Sequence, residues 1–547
     1  MPCYLLALPT ELVEEIISYL AEREYDDQLT TQAKNDLRSC ALTCKTLFGP
    51  AIQAIWNTTD LLAVLKLLLN LEQNEAGVYV LTSELDEAAW NRFDVYSTSV
   101  KKLHENFTYM FGSLPKIQID PSVWRRIALA RPGPLLPGLI EVSRPSSSTL
   151  STSYQTMFLV SPVLRTVILD LHYFSPSDLL AYLSSLRDVP SLESLTLYHH
   201  AEDSSEFDLS PVSLLKNLRH FQLTLPAHSS GQWTNHCITL DLGSLCYLER
   251  LEFLCFSTPN GAIDFRVPAV PSFHCQESNK TMQELDLYGL SDVRAVSRIL
   301  SSFNNSPMES FSISLAGFHG LGQFRTTLST ISPQWAKTLT RLVLDAGLSR
   351  PDDQSPYSFS NLFGALYTIG CLEELHLHRL SRDIVYVSDS VISDLCNAWP
   401  RLTHLHIALN TERFFSGSSD TLPTVASLYT LGRCPALSGL EIPFYPLDIP
   451  PVDHASDDSR AQVPVPASQK LHSLFLHIPR NNFNECNLFP DALSLLASHL
   501  ALAFPHVKSV KFRTFQSVNG PGLLRLKAWL DWAPVNSLLQ RCHNARR

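Results

Sequence analysis

The chain has 547 residues, of which 45% are hydrophobic and 17% are charged, as in a folded globular protein. Its length predicts several domains or one long repeat array. The 42 basic and 53 acidic residues give a net charge of -11, which argues against a surface built to hold nucleic acid. We find no apolar run long enough to span a membrane and no signal-peptide pattern. The twelve scattered cysteines contain no CxxC pair and predict reduced thiols in the cytoplasm or nucleus.

The opening segment has the pattern of an amphipathic helix. Apolar residues recur at helical spacing from Leu8 to Leu20, and Pro9 lies where a first-turn proline is tolerated. Two further helical patterns lie between Leu37 and Trp56, and we expect Gly49-Pro50 to break between them. Three short helices bury too little surface to be self-sufficient. We therefore expect a partner to cover part of this apolar surface.

A leucine-rich signature, Leu-x-x-Leu-x-Leu, recurs through the rest of the chain. Clear copies begin at Leu192, Leu218, Leu248, Met282, Met308, Leu339, Leu372, Leu402, Leu437, Leu471 and Val507, and weaker copies at Leu114 and Leu164. Capped helical patterns lie between many of the copies. One strand and one helix per repeat predict an α/β leucine-rich-repeat solenoid, with parallel strands on the concave face and helices outside.

Four proline-rich stretches interrupt the repeats. They begin near Arg131, Thr258, Ser349 and Pro443. Because they are rich in proline and lack apolar periodicity, we expect them to be loops.

At its N-terminus the chain resembles the F-box family. The family pattern of Leu-Pro-x-Glu-Leu, Ile and Leu, a Cys-Lys/Arg segment and a closing Trp is matched by Leu8, Pro9, Glu11, Leu12, Ile16, Leu20, Cys44, Lys45 and Trp56. The segment 90–104 resembles the one that follows the F-box in fungal F-box proteins with leucine-rich repeats. The resemblance implies a three-helix F-box at 1–58, a helical connector at 59–112 and a repeat solenoid with proline-rich insertions at 113–547.

The resemblance also implies a function. F-box proteins dock on the adaptor Skp1, which joins them to a cullin-RING ubiquitin ligase, while the repeats hold a protein substrate. Such a subunit supplies no catalytic group and needs no cofactor. The adaptor contacts that we expect are Leu8, Pro9, Leu12, Val13, Ile16, Leu37, Leu42 and Lys45. The alternative is a repeat scaffold, or an Skp1-binding protein that acts outside a ligase.

Alternate residues of each repeat strand should point away from the core, and they form the candidate substrate surface. The expected set is Asp286, Tyr288, Glu374, His376, His378, His404, His406 and Glu441. We expect the first histidine pair to face the second across neighbouring strands. Three interpretations remain open: a zinc site, a patch that binds an acidic or phosphorylated partner, or a solvated polar face.

A second group of outward residues is acidic. Glu252, Glu284 and Asp286, with Tyr288, could favour a basic substrate segment. Solvated surface charge is the simpler interpretation of the same residues.

Known catalytic motifs are missing from the sequence. We find no phosphate-binding loop, nucleophile elbow, HExxH motif or dinucleotide fingerprint. The adjacent carboxylates Glu373 and Glu374 would point to opposite faces of a strand, so they could not act on one substrate atom. The sequence therefore favours a non-catalytic binding protein.

Overall fold

The structure is a computed structural model. It describes residues 8–21, 29–68, 70–104, 118–131, 133–143, 158–171, 174–198, 209–224, 245, 248–257, 281–290, 293–303, 305–315, 321–346, 357–381, 385–410, 422–444, 449, 470–471, 473–477, 490–507, 509–513, 529–531 and 533–546. The chain divides into two compact units, residues 1–254 with 264–279 and residues 255–263 with 280–547. Each unit combines parallel strands with helices in a repeating α/β arrangement.

Helices dominate the start of the first unit, and strands follow. The helices are α1 (Thr10–Leu20), α2 (Thr31–Thr43), α3 (Lys45–Trp56), α4 (Leu61–Leu65), α5 (Glu87–Ser97), α6 (Pro121–Ala130) and α7 (Pro176–Leu186). The strands are β1 (Thr58–Thr59), β2 (Leu71–Gln73), β3 (Val78–Leu81), β4 (Lys102–His104), β5 (Gln118–Ile119), β6 (Glu141–Ser143), β7 (Thr166–Asp170), β8 (Ser194–Tyr198) and β9 (His220–Thr224). Strand β10 (Phe253–Ser257) spans the division between the units.

Several of these helices begin at a side-chain cap, as the sequence chemistry requires. The hydroxyl of Thr30 accepts a hydrogen bond from the Ala33 N–H at 3.1 Å and starts α2. The carboxylate of Asp86 accepts from Ala89 N–H at 2.7 Å at the start of α5. Each cap satisfies a backbone donor that has no partner within its own helix.

The main sheet of the first unit has the order β1-β4-β6-β7-β8-β9, and its strands are parallel. A recurring hydrogen bond links them: the carbonyl before each strand accepts from two successive N–H groups of the next repeat. The accepting residues are Asn57, Lys101, Ile140, Arg165 and Glu193. Because the first acceptor, Asn57, directly follows α3, the sheet begins where the third helix ends.

The second unit continues the alternation of strand and helix. Its helices are α8 (Val293–Ser302), α9 (Leu321–Trp335), α10 (Phe359–Phe363), α11 (Asp389–Ala398), α12 (Val425–Gly432), α13 (Pro490–Ala503) and α14 (Ala533–Arg546). Its strands are β11 (Glu284–Leu290), β12 (Ser310–Leu315), β13 (Arg341–Ala346), β14 (Tyr357–Ser358), β15 (Glu374–Ser381), β16 (Val385–Tyr386), β17 (His404–Asn410), β18 (Gly439–Pro443), β19 (Ser473–His477), β20 (Ser509–Arg513) and β21 (Trp529–Asp531).

The sheet of the second unit has the order β11-β12-β13-β15-β17-β18-β19-β20-β21. These strands pair in parallel as far as β20, and β21 pairs antiparallel with β20. The leucines of the signature supply the core. Leu372, Leu375 and Leu377, for example, are all 0% exposed. Side chains between them point to the other side of the strand, because successive residues alternate.

The repeat signature located most strands, including β7 from the weaker copy at Leu164. The copy at Leu114 is different. Its described end, β5, pairs with β3 in a separate small sheet whose other strand is β2. The signature was therefore wrong about the role of this segment, since two apolar positions suit either sheet.

The copy that we placed at Leu248 begins three residues later. The N–H groups of Glu252 and Phe253 donate to the carbonyl of Arg219, as residues at the start of each strand do. The repeat therefore starts at Leu251, and Cys255 takes the central outward position. Leu251 completes the apolar spacing in either register, so the sequence alone could not choose between them.

Three other expectations need correction. The break between the second and third helices lies at Cys44, whose backbone is extended, while Gly49 and Pro50 lie inside α3. The stretch after Arg131 was predicted to be a loop but contains β6, which pairs with β4. The segment 59–112 was expected to be a helical connector, but its described residues contain strands as well as helices. The other three proline-rich stretches fall largely outside the described residues.

Candidate functional site

Helices α1, α2 and α3, which we call the helical module, enclose a small core. Val13, Ile17, Leu29, Ala33, Leu37 and Leu47 are its buried members. Val13 and Ile17 are one turn apart on α1 and share one face of that helix. The module is therefore packed internally on one side of α1.

A second apolar stripe on α1 remains exposed. Leu12, Ile16 and Leu20 recur every four residues and are 44%, 39% and 39% exposed. Leu42 on α2 is 87% exposed. A monomer gains nothing by displaying aliphatic side chains in a regular row, so this stripe is a candidate contact surface.

The predicted adaptor contacts fall into three groups. Pro9, Leu12, Ile16, Leu42 and Lys45 are exposed, and Leu8 is half-buried against the module's core. Val13 and Leu37 are 1% and 0% exposed, so a docking partner cannot reach them. We remove both from the contact set, because their places on α1 and α2 face the inside of the module.

The candidate substrate surface lies in the second unit. We call it the outward face: the side chains of β11 to β18 that alternate with the core leucines. Three of its imidazole rings cluster. The ring centroids of His378 and His406 are 4.5 Å apart, those of His376 and His406 are 5.7 Å apart, and those of His376 and His378 are 6.0 Å apart.

The fourth predicted histidine, His404, lies beside a carboxylate instead. Strand register pairs His376 with His406 and Glu374 with His404. The Glu374 carboxylate is 3.7 Å from His376 Nε2 and 3.7 Å from His404 Nδ1. Glu441 Oε2 is 3.0 Å from His406 Nδ1. The histidines and glutamates therefore lie together as predicted. His404 lies beside Glu374, whereas the other three histidines form the cluster of rings.

Burial and charge weaken the basicity of His376. Burial lowers the pKa of His376 below its ordinary value of 6.5, and the neighbouring His378 lowers it further, while Glu374 opposes both effects. His376 is therefore biased toward its neutral form. Among the described residues, no group of three or more His, Cys, Asp or Glu is placed to hold a metal ion.

Sequence reasoning missed two residues that shape this region. Arg341 Nε lies 3.3 Å from Glu374 Oε2, and Arg341 Nη1 lies 3.9 Å from Glu284 Oε1. A Cβ at Gly439 would collide with the imidazole of His404. The glycine at position 439 leaves room for the His404 ring, and it was the sequence signal that this ring lies across the strand.

The acidic end of the outward face is partly buried. Asp286 is 9% exposed, and Tyr288, two residues along β11, is 36% exposed. Burial raises the pKa of Tyr288, and the Asp286 carboxylate adds to this. Burial likewise raises the pKa of Cys255 to about 12, with the charges of Asp286 and Glu284 adding. Glu252, predicted to join this group, instead pairs with Arg219 at 3.3 Å.

Comparison with known proteins adds no name to this geometry. No protein-family model matches the chain, and no curated protein matches it either. The F-box resemblance therefore depends on the residues at 8–56 and on the exposed stripe of α1.

A cleft of about 270 Å³ lies where α2 and α3 meet β1. Its lining includes Lys34, Arg38, Trp56 and His104. The ring of Trp56 also packs on Tyr96 of α5, with centroids 5.3 Å apart. The helical module is thus joined to the elements that follow it within the first unit.

Among the residues that the structure describes, no helix has the length and apolar content that a membrane crossing requires.

Proposed function

We propose that the chain is the substrate-recognition subunit of a Skp1–cullin–F-box ubiquitin ligase. Its helical module is an F-box that docks on a Skp1-like adaptor, and its strands form a leucine-rich-repeat solenoid that binds a target protein. The observation that carries the proposal is the exposed stripe Leu12, Ile16 and Leu20, beside a core that buries Val13 and Ile17.

The geometry of α1 supports docking by helix packing. One face of the helix is already covered, and the adjacent face presents aliphatic side chains one turn apart. A partner that supplies a complementary apolar groove would remove these side chains from water, which stabilises the complex by about 25 cal/mol per Å² of apolar surface. Leu42 and Lys45 lie on the helices that pack on α1 and extend the candidate surface.

The role of the repeats in this proposal is positional. A bound target would be held near a ubiquitin-charged enzyme that the cullin recruits, so the effective concentration of its lysines would rise. No side chain of the receptor takes part in bond making. The outward face of the second unit, with its mixture of rings and carboxylates, supplies the chemistry for binding a protein segment.

The test is a double substitution of exposed residues. Leu12→Ser with Ile16→Ser in the full chain should reduce the affinity for purified Skp1 by at least about tenfold per residue, because buried aliphatic anchors dominate such interfaces. The melting temperature should hardly change, since neither side chain belongs to the module's core.

A matched control uses leucines on other helices that are at least as exposed as Leu12 and Ile16. Leu129 on α6 and Leu180 on α7 are 77% and 50% exposed, so Leu129→Ser with Leu180→Ser should leave Skp1 binding intact. Unchanged binding in the α1 variant would sink the docking proposal. Co-purification of Skp1 without any cullin would leave docking standing and favour a role outside a ligase.

A further inference from the structure

We propose that the outward face of β11 to β18 binds a basic, Lys- or Arg-bearing segment of the target protein, with Asp286 accepting one cationic side chain. The inference deepens the proposed role of the repeats as a protein-binding surface and rests on it. It chooses between the acidic and basic partners that the sequence left open.

The charges of the outward face favour a cationic partner. Among the side chains that the structure describes, the outward positions of these strands carry the carboxylates Glu284, Asp286, Asp345, Glu374 and Glu441 and one guanidinium, that of Arg341. Arg341 is already engaged by Glu284 and Glu374. The surface therefore has negative charge in excess, which favours and orients a cationic partner.

The histidines do not reverse this balance. Burial and His378 bias His376 toward the neutral form. Any charge gained by His376, His404 or His406 would be opposed at once by a glutamate within 3.7 Å. Because each of these rings already has a carboxylate neighbour, little positive potential remains for a phosphate group.

Asp286 supports a cationic partner independently of the overall charge. Asp286 is only 9% exposed, and its Oδ1 has no hydrogen-bond partner among the described residues. A buried carboxylate oxygen without a donor costs free energy. An ammonium or guanidinium group would supply the missing donor and offset the charge that raises the pKa of Cys255 and Tyr288.

The neighbours of Asp286 suit a long basic side chain. The outward residues of the next strand are Ser310, Ser312 and Ser314, so short hydroxyl side chains separate Asp286 from Asp345. Tyr288 keeps 36% of its surface exposed and can pack its ring against an alkyl stem or a guanidinium. The same strands thus offer a carboxylate and an exposed ring, with short buried serines between the two aspartates.

The experiment measures three fluorescent peptides on the full chain by anisotropy. They share one neutral framework and differ only in carrying Lys and Arg, Gln and Ser, or phosphoserine and Glu. The basic peptide should bind most tightly and should weaken as salt is added. Asp286→Asn should weaken it on the order of tenfold, because the paired charge is lost while the shape is kept.

Two further variants make the outcome decisive. Asp394→Asn removes the same charge from an exposed position of α11 and should leave peptide binding unchanged. If Asp286→Asn lowers the melting temperature, Glu284→Gln, at a half-buried position, should still weaken the basic peptide. Equal binding of all three peptides, a preference for phosphoserine, or full affinity in both face variants would overturn the inference.

The same variants separate this inference from the ligase role. None of them lies in the helical module, so Skp1 binding should be unaffected. Loss of Skp1 docking with retained basic-peptide binding would remove only the ligase proposal. Intact Skp1 docking with no basic preference would remove only the inference about the outward face.

Discussion

In the helical module, Leu12 and Ile16 remain 44% and 39% exposed, whereas Leu375 and Leu377 of β15 are completely covered. Both regions repeat aliphatic residues at the period of their secondary structure. The strands satisfy that pattern within the chain, because each repeat covers its neighbours. The three helices satisfy only part of it and keep one stripe on the surface. Exposed apolar periodicity, rather than apolar content, is what makes the module a candidate docking element.

The largest expected effect contrasts these two regions by the same truncation. Leu375→Ala should lower the free energy of unfolding by about 2–5 kcal/mol, because it empties a fully buried site between parallel strands. Leu12→Ala should change it by less than about 0.5 kcal/mol, as expected for a surface position. Urea denaturation of both variants measures the difference. Similar losses would mean that the α1 stripe is covered by the protein itself.

A smaller effect is expected on the outward face, where packing is loose enough to adjust. Gly439→Ala should cost about 1–3 kcal/mol or displace His404, because the new methyl group collides with that ring. Gly370→Ala is the matched control, since a Cβ there meets nothing within 4 Å. Calorimetry gives the stability, and the NMR shifts of His404 report the ring. Identical results for both glycines would show that His404 does not lie across β18.

The smallest effect is the response of the histidine cluster to pH. The folded-state pKa of His376 lies below 6.5, so as pH falls through 6.5 the unfolded chain takes up the proton first. Protonation then favours unfolding, and the contribution of His376 to stability should decline as the pH falls through 6.5 toward the lower folded-state pKa of this residue. His376→Gln should flatten this part of the urea-midpoint profile. An unchanged slope would assign the pH response to other groups.

The leucine signature predicted most strands because burial imposes a simple alternation on them. It could not fix the register at Leu248, where Leu251 and Leu254 supply a second equally apolar frame. It also missed β1, β4 and β6, which are two or three residues long and carry too few apolar positions to form a pattern. Short strands are specified by hydrogen bonds to a neighbour, and these are invisible in a sequence.

Prediction of the candidate sites was uneven for similar reasons. Strand spacing brought His376, His406, Glu374 and Glu441 together as expected. Helical spacing alone could not tell which apolar face of α1 turns inward, so Val13 was assigned to the surface. Arg341 was missed because its partners come from strands on either side, which only the register reveals.

The Asn57 carbonyl, which accepts the first of the recurring hydrogen bonds between strands, gives the helical module a role besides the proposed docking. Strand β1 follows α3 without a linker and forms the edge of the first unit's sheet. Deleting residues 1–58 would therefore uncover the backbone of β4 and invite edge-to-edge association with other molecules. The segment that carries the N-terminal helices therefore also supplies the strand that ends the sheet.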